Sequence, residues 1–203
     1  MRISVEDTSC LVIDYQERIV PAMTKWEELI ANSVKLLEGL RILGVPMIIT
    51  GQYTKGLGLN LPEIFAAADT EEYIDKLTFS SYEVPEVQNF LHHRMQEASG
   101  VLCADGTSSA TIAQADGKGK NVLLCGIEAH VCVLQTAIDL KEAGFTPILV
   151  TDCISSRKAG DKEIALIRAR QEGVLLTTSE AILFELTRKA GTDVFKQISK
   201  LVK

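Results

Sequence analysis

Several short runs of this chain are almost wholly apolar, and segments with helical periodicity separate them. The five clearest runs lie at residues 10–13, 45–50, 122–125, 147–150 and 174–177. Strands without polar alternation are buried on both faces, as in a parallel sheet covered by helices. A shorter sixth strand is predicted at residues 72–77. Because parallel strands are joined by right-handed crossovers, the pattern predicts a Rossmann-like, three-layer α/β/α sandwich with a mainly parallel six-stranded sheet.

The segments between these strands carry apolar residues at helical spacing. They predict helices at residues 26–43, 61–68, 85–96, 131–143, 162–171, 180–188 and 193–202. Residues 51–60 are predicted to form a loop. No repeat or linker divides the chain, so residues 1–203 are expected to form a single domain. Residues 99–120 are rich in small and polar side chains and are predicted to be an insertion, of the kind that often covers a site or an interface.

Charge and cysteine content limit which classes of partner and which cellular compartment are expected for this protein. The net charge of −6 and the pI near 5.2 argue against nucleic acid or an anionic membrane as the main partner. The five cysteines form no CxxC pair and no zinc-finger spacing, which argues against a metal knuckle or a disulfide scaffold. Reduced thiols, with no signal-peptide pattern and no apolar run of ~18 residues, predict a cytoplasmic protein that does not enter membranes.

The segment VLLCGIEAHVC at residues 122–132 predicts a buried strand, a glycine turn and a cysteine at the start of the next helix. A helix start offers unpaired N–H groups and a partial positive charge. Both favour the thiolate, which is the reactive form of cysteine, and the same N–H groups suit a developing oxyanion. We therefore predict a nucleophile at Cys132. The alternative is a small, buried and inert side chain, which is common for free cysteine.

Two charged residues lie at the ends of other predicted strands, Asp14 after the first and Lys76 near the end of the short one. Ligands of open α/β sheets bind beyond the carboxyl ends of the strands. A carboxylate near the thiol can accept its proton, and a lysine can keep that carboxylate ionised. The alternatives are a turn-capping aspartate and a solvated lysine. His130 stands two residues before Cys132 and does not face it on a helix, so a structural or pocket-wall role is predicted.

Four motifs make the chain resemble a known family. They are LVIDYQ at residues 11–16, KLTFSS at 76–81, CGIEAHVCVLQTA at 125–137 and TDCISSR at 151–157. In this combination the chain resembles the isochorismatase-like cysteine hydrolases of the nicotinamidase/isochorismatase superfamily over most of its length. The segments TGQYTKGLG at 50–58 and TSEAIL at 178–183 are similar to the branch of isochorismatase domain-containing proteins, whose substrates are poorly defined.

The resemblance implies a catalytic triad of Asp14, Lys76 and Cys132, which agrees with the roles argued from position. It also implies a cis peptide bond between Ile127 and Glu128. The backbone N–H groups of Glu128 and Cys132 would form the oxyanion hole. The family leans toward homo-oligomers, so a homo-oligomer is expected here.

The resemblance also bears on metal and substrate binding. Nicotinamidases carry an Asp-x-His and a further His after the second strand, and these residues bind a metal. This chain has Gly51, Gln52 and Tyr53 at that place, so neither a metal nor any other cofactor is predicted and nicotinamide is disfavoured as a substrate. The candidate substrate-binding side chains are Gln16, Gln52, Tyr53, Phe79 and His130.

These features predict a metal-independent cysteine hydrolase that cleaves an amide, ureido or related carbonyl bond of a small molecule through a thioester acyl-enzyme. Isochorismatase itself lacks the cysteine and cleaves a vinyl ether, so Cys132 indicates acyl transfer instead. One alternative is a non-catalytic or redox-sensing α/β protein that keeps the hydrolase fold, since reactive thiols also oxidise readily. A nucleotide-binding module is disfavoured because no G-x-G-x-x-G or Walker pattern occurs.

Overall fold

The strands form one sheet in the computed structural model, which describes residues 2–99 and 119–203. They are β1 Thr8–Ile13, β2 Met47–Gln52, β3 Ile74–Lys76, β4 Asn121–Ile127, β5 Thr146–Ser155 and β6 Leu175–Thr177. Their order is β3-β2-β1-β4-β5-β6, and all neighbouring pairs are parallel. The chain runs outward from β1 to β3 and then returns to add β4 on the other side of β1. The carboxyl ends of β1 and β4 therefore flank the switch point at which ligands of such sheets bind.

Helices cover both faces of the sheet. They are α1 Trp26–Leu43, α2 Thr54–Leu57, α3 Pro62–Ala68, α4 Pro85–Ser99, α5 Leu134–Glu142, α6 Ala159–Gln171, α7 Ser179–Thr187 and α8 Asp193–Leu201. One apolar core lies between the sheet and α1, α3, α7 and α8, and a second lies between the sheet and α4, α5 and α6. The predicted three-layer α/β/α sandwich is thus confirmed, and its sheet is parallel in every strand pair.

Each strand differs from its predicted range at one end or both, and two of these differences have a clear local reason. The second strand starts at Met47 rather than at residue 45, because Val45 N–H bonds back to the last turn of α1 at the Leu40 carbonyl, 2.9 Å away. The fifth strand runs to Ser155 although Asp152 interrupts its apolar pattern. The Asp152 carboxylate accepts bonds of 2.8 Å and 2.6 Å from the backbone N–H and hydroxyl of Ser179, which compensates for its position in the sheet.

The predicted loop at residues 51–60 contains the end of β2 and the single turn of α2. The helix predicted from residue 131 begins as α5 only at Leu134, because a π-helical turn, Ala129–Val133, precedes it. Most of the predicted insertion, residues 100–118, lies outside the described residues. Across the two described ranges, no helix combines the length and the apolarity needed to cross a membrane.

The end of β4 has a backbone that only glycine tolerates. Gly126 has a φ of +130°, and a Cβ on it would lie 2.0 Å from the carbonyl oxygen of Ile13. β4 therefore approaches β1 closely at this point. The peptide bond between Ile127 and Glu128, one residue further on, is cis, as the resemblance implied. The π-helical turn that carries Cys132 begins at Ala129, directly after it.

Candidate active site

Asp14 lies at the carboxyl end of β1 and is almost completely buried. Its φ of 56° is in the left-handed region, where the chain leaves the strand. One carboxylate oxygen accepts the Thr50 hydroxyl at 2.8 Å, and the other accepts the Lys76 ammonium at 2.7 Å. Both oxygens therefore have donors, one from β2 and one from β3.

Lys76 is the last residue of β3, and its side chain is fully buried. Its ammonium donates to the Asp14 carboxylate and to the Gln52 side-chain oxygen, each at 2.7 Å. The carbonyl oxygens of Thr78 and Phe79 lie 3.2 Å from the same nitrogen. A buried ammonium is stable only when it is paired and hydrogen-bonded, and this one meets both conditions. The lysine is therefore held in one orientation, with its charge beside Asp14.

Cys132 lies in the π-helical turn after β4 and is 6% exposed. Its thiol lies close enough to the Asp14 carboxylate and to the Glu128 backbone N–H for both groups to act on its pKa. The structure thus brings together Asp14, Lys76 and Cys132 from the ends of three different strands, as the predicted constellation required. The Glu128 N–H lies close enough to the sulfur to lower the pKa of the thiol.

The protonation state of this cluster differs from the one expected at a helix start. Burial and, after it, the charge of Asp14 raise the pKa of Cys132 to about 12, while Lys76 and the Glu128 N–H oppose the shift. Burial also raises the pKa of Asp14, against the lowering effect of Lys76. The prediction that the thiolate is favoured is therefore wrong, because desolvation and the neighbouring carboxylate outweigh Lys76 and the Glu128 N–H. A neutral thiol beside a carboxylate is suited to proton transfer during attack rather than before it.

The Glu128 side chain is 6% exposed and is held by Arg157. Its carboxylate accepts the Arg157 backbone N–H at 3.0 Å and the Arg157 Nε–H at 3.1 Å. Its carbonyl oxygen accepts the N–H groups of Val131 and Val133, at 3.0 Å and 3.2 Å. The residue therefore connects the end of β5 to both neighbours of Cys132. Sequence reasoning gave Arg157 no role, because nothing in TDCISSR shows which carboxylate its side chain meets.

A second set of buried contacts also escaped prediction. The hydroxyl of Thr50 bonds to Asp14 and lies 3.4 Å from the Ser81 hydroxyl. The Ser81 N–H donates to the Thr136 hydroxyl at 2.8 Å, and that hydroxyl donates to the Cys132 carbonyl at 2.7 Å. This chain of hydrogen bonds links the carboxylate to the backbone of the cysteine. Serines and threonines are common in loops and helices, so no sequence signal marks these three.

Two of the five candidate substrate-binding residues are occupied by contacts within the protein. Gln16 is fully buried, and its amide braces the backbone of Gln52 and the carbonyl of Gly58. The Gln52 amide accepts from Lys76 and donates to the Leu77 carbonyl at 2.9 Å. Both side chains adjoin the site, and both hold its framework in position.

The other three candidates are more open to solvent. Tyr53 and Phe79 are exposed, and each is tied to Lys76 through its backbone. The His130 ring lies with Nδ1 3.0 Å from the Ser156 hydroxyl and Nε2 3.8 Å from Asp161. Tyr53 and Phe79 thus adjoin Lys76, whereas the His130 ring contacts the residues that follow β5. Within residues 2–99 and 119–203, no group of three or more His, Cys, Asp or Glu side chains is placed to hold a metal ion.

The fold and the cluster together define a class: a parallel α/β protein with a carboxylate, a lysine and a thiol at its topological switch point. The family model for the isochorismatase domain matches residues 8–181, a range that includes every residue of this cluster. The chain therefore belongs to the isochorismatase family.

Individual relatives cover nearly the whole chain. Isochorismatase domain-containing protein 2 of Danio rerio is 35% identical over 99% of this chain and 89% of its own length. The solved structure of the MAR1 ribonuclease from Caenorhabditis elegans has a TM-score of 0.83 at 34% identity and covers 100% of this chain and 92% of its own. The YcaC gene product of Escherichia coli, an octameric hydrolase of unknown specificity, has a TM-score of 0.82 at 20% identity, and the match covers 99% of this chain and 89% of that protein. At this identity the similarity shows the fold alone.

Proposed function

We propose that this protein is a metal-independent cysteine hydrolase that cleaves an amide, ureido or related carbonyl bond of a small molecule. The observation that carries the proposal is the buried Asp14 carboxylate, which is hydrogen-bonded to Lys76 and lies close enough to the thiol of Cys132 for each to shift the pKa of the other. A carboxylate in that position can remove the thiol proton and return it to a leaving group. A purely structural cysteine needs neither a base nor an oxyanion donor.

The reaction starts when Cys132 sulfur attacks the substrate carbonyl carbon and its proton passes to Asp14. The carbonyl electron pair moves to oxygen, and the N–H groups of Glu128 and Cys132 bind that oxyanion. When this electron pair re-forms the carbonyl double bond, the C–N bond breaks, and Asp14 gives the proton to the departing nitrogen. A thioester remains. Water then attacks it, Asp14 takes a proton from the water, and the expelled sulfur recovers that proton.

Lys76 has an indirect part in this scheme. Its three N–H groups are shared among four acceptors, so it does not reach substrate. Its charge favours the ionised form of Asp14, as its lowering effect on that pKa indicates. The lysine therefore helps to keep the base ionised and able to accept a proton. No step of the scheme uses a metal or another cofactor.

The partners and the compartment follow from surface and cysteine features. The four described cysteines are free, which is consistent with the reducing cytoplasm that we propose as its location. Leu77 and Phe79 beside the site, with Ile164 and Ile167 on α6, are exposed apolar side chains. Such surfaces suit contacts between copies, so we propose a homo-oligomer, by analogy with the octameric Escherichia coli protein.

Two other functions have less support. The nematode relative at 34% identity is named a ribonuclease, but a net charge of −6 works against binding a polyanion here. A redox sensor needs an accessible thiol of low pKa, whereas Cys132 is 6% exposed and its pKa is raised to about 12. RNA and peroxide are therefore included as comparison reagents in the test.

The test is intact-mass detection of acyl adducts after exposure to a library of amides and ureides, with and without a chelator. We expect an adduct on the wild type and on Cys125→Ala, a variant of another buried thiol, and none on Cys132→Ser. Chelation should leave adduct formation unchanged. Undiminished turnover by Cys132→Ser would reject the mechanism. Cleavage of RNA or rapid sulfenic acid formation at Cys132, without any acyl adduct, would favour the corresponding alternative.

A further inference from the structure

We propose that Arg157 is a positioning residue for the oxyanion hole, which it orients through the side chain of Glu128. The inference rests on the proposed function, because it concerns the donor that would stabilise the tetrahedral intermediate. Arg157 does not reach the sulfur in this arrangement. It binds the carboxylate of the residue whose backbone N–H acts on the pKa of Cys132 and whose carbonyl oxygen accepts the N–H groups on both sides of that cysteine.

The contact is specific in geometry. Arg157 Nε lies 3.1 Å from each carboxylate oxygen of Glu128, and the Arg157 backbone N–H adds a third bond of 3.0 Å. The Glu128 carboxylate is 6% exposed, so its charge depends on these donors rather than on water. Without the guanidinium, only the backbone donor would remain. The carboxylate would then turn outward to reach solvent.

Such a turn would move the catalytic backbone. Ile127, the residue before Glu128, is paired with Ser155 in the sheet and is fixed on that side. On the other side, the Glu128 carbonyl accepts the N–H groups of Val131 and Val133, the two neighbours of Cys132. A rotation at Glu128 therefore changes the direction of its own N–H and loosens the turn that presents the sulfur. Displacements of about 1 Å in a catalytic group can reduce rates about 100-fold.

The effect of this contact on stability should be small by comparison. The Arg157 side chain is 61% exposed, so solvent screens its charge, and the Glu128 carboxylate keeps the backbone N–H of residue 157 as a donor after the substitution. Loss of a single oxyanion donor, in contrast, lowers turnover roughly 100- to 1000-fold in other acyl-transfer enzymes. A positioning role thus predicts a large kinetic effect with an almost unchanged melting temperature.

Two reagents distinguish an effect on the oxyanion hole from an effect on the nucleophile, and neither requires the substrate to be known. p-Nitrophenyl acetate acylates a cysteine through a tetrahedral oxyanion, whereas iodoacetamide alkylates it by direct displacement at carbon with no oxyanion. We expect Arg157→Ala to slow acylation about 10- to 100-fold while alkylation changes less than about 3-fold. Arg157→Lys, which keeps the charge but not the planar donor group, should fall between Arg157→Ala and the wild type.

The matched control is Arg168→Ala, which removes an exposed arginine in the last turn of α6 that is paired with Glu172 at 3.5 Å. It should leave both probe rates unchanged. The inference is overturned if Arg157→Ala acylates at the wild-type rate, or if both probes slow equally, which would indicate a general effect on Cys132 or on folding. Failure of the proposed function itself is recognised separately, because Cys132→Ser would then react with p-nitrophenyl acetate as the wild type does.

Discussion

Replacing Asp14 by Asn separates two effects that this carboxylate has on Cys132. The pKa of the thiol, about 12, is raised first by burial and then by the charge of Asp14. Asn keeps the size of Asp14 and an acceptor for the Thr50 hydroxyl, but it carries no charge. The pKa of Cys132 should therefore fall in the variant, although the protein loses its proposed proton acceptor. Thiolate formation and catalysis are expected to change in opposite directions.

The size of the change follows from the charges. A thiol with a pKa of about 12 is ionised at pH 7 in about one molecule in 10⁵. A unit charge about 4 Å away contributes roughly 1–4 kcal/mol, or about one to three pKa units. The thiolate fraction should therefore rise about 10- to 1000-fold. The same change leaves the buried Lys76 unpaired, which costs about 3–5 kcal/mol of the roughly 5–15 kcal/mol that stabilises a typical protein.

The assay is the rate of Cys132 alkylation by iodoacetamide at pH 7, with Cys132→Ser as the blank and circular dichroism to confirm folding. The Asn variant should alkylate faster than the wild type. It should still give a burst with p-nitrophenyl acetate, whose leaving group needs no proton, but it should not turn over amides. In the wild type, acylation should weaken as the pH falls through the pKa of Asp14, which lies above 3.8, because the protonated acid cannot accept a proton. Slower alkylation by the variant would refute this reasoning.

Two further substitutions test the framework of the site. Gly126→Ala would place a Cβ 2.0 Å from the Ile13 carbonyl oxygen at a φ of +130°, so we expect a loss of about 2–6 kcal/mol in chemical denaturation. Gly144→Ala, where a Cβ meets nothing within 4 Å, should lose much less, and equal losses would contradict the steric argument. Thr136→Val removes the acceptor of the Ser81 N–H and should cost about 1–3 kcal/mol. Thr136→Ser keeps the hydroxyl and should lose much less stability. A loss as large as that of Thr136→Val would show that the methyl group matters instead of the hydroxyl.

The fold was largely predictable because burial on both faces leaves a local trace in each strand. The apolar runs located all six strands to within a few residues, and errors arose where a distant partner compensates for a polar residue. Asp152 is such a case, since Ser179 donates two hydrogen bonds to its carboxylate and so allows it to stand within β5. Likewise, the hydrogen bond from Val45 to the end of α1 displaced the start of β2. Neither contact can be inferred from the residues adjacent in sequence.

For the candidate site, the sequence by itself determined that Asp14, Lys76 and Cys132 stand at strand ends, because strand ends are marked by local changes in polarity. Tertiary structure alone decided that the thiol rests protonated, because its pKa depends on its burial and on Asp14, Lys76 and the Glu128 N–H, which follow or end three different strands. It also decided that Arg157 meets Glu128. Hydrogen bonds and electrostatic fields act across space between residues far apart in the chain, whereas periodicity records only how each segment is buried.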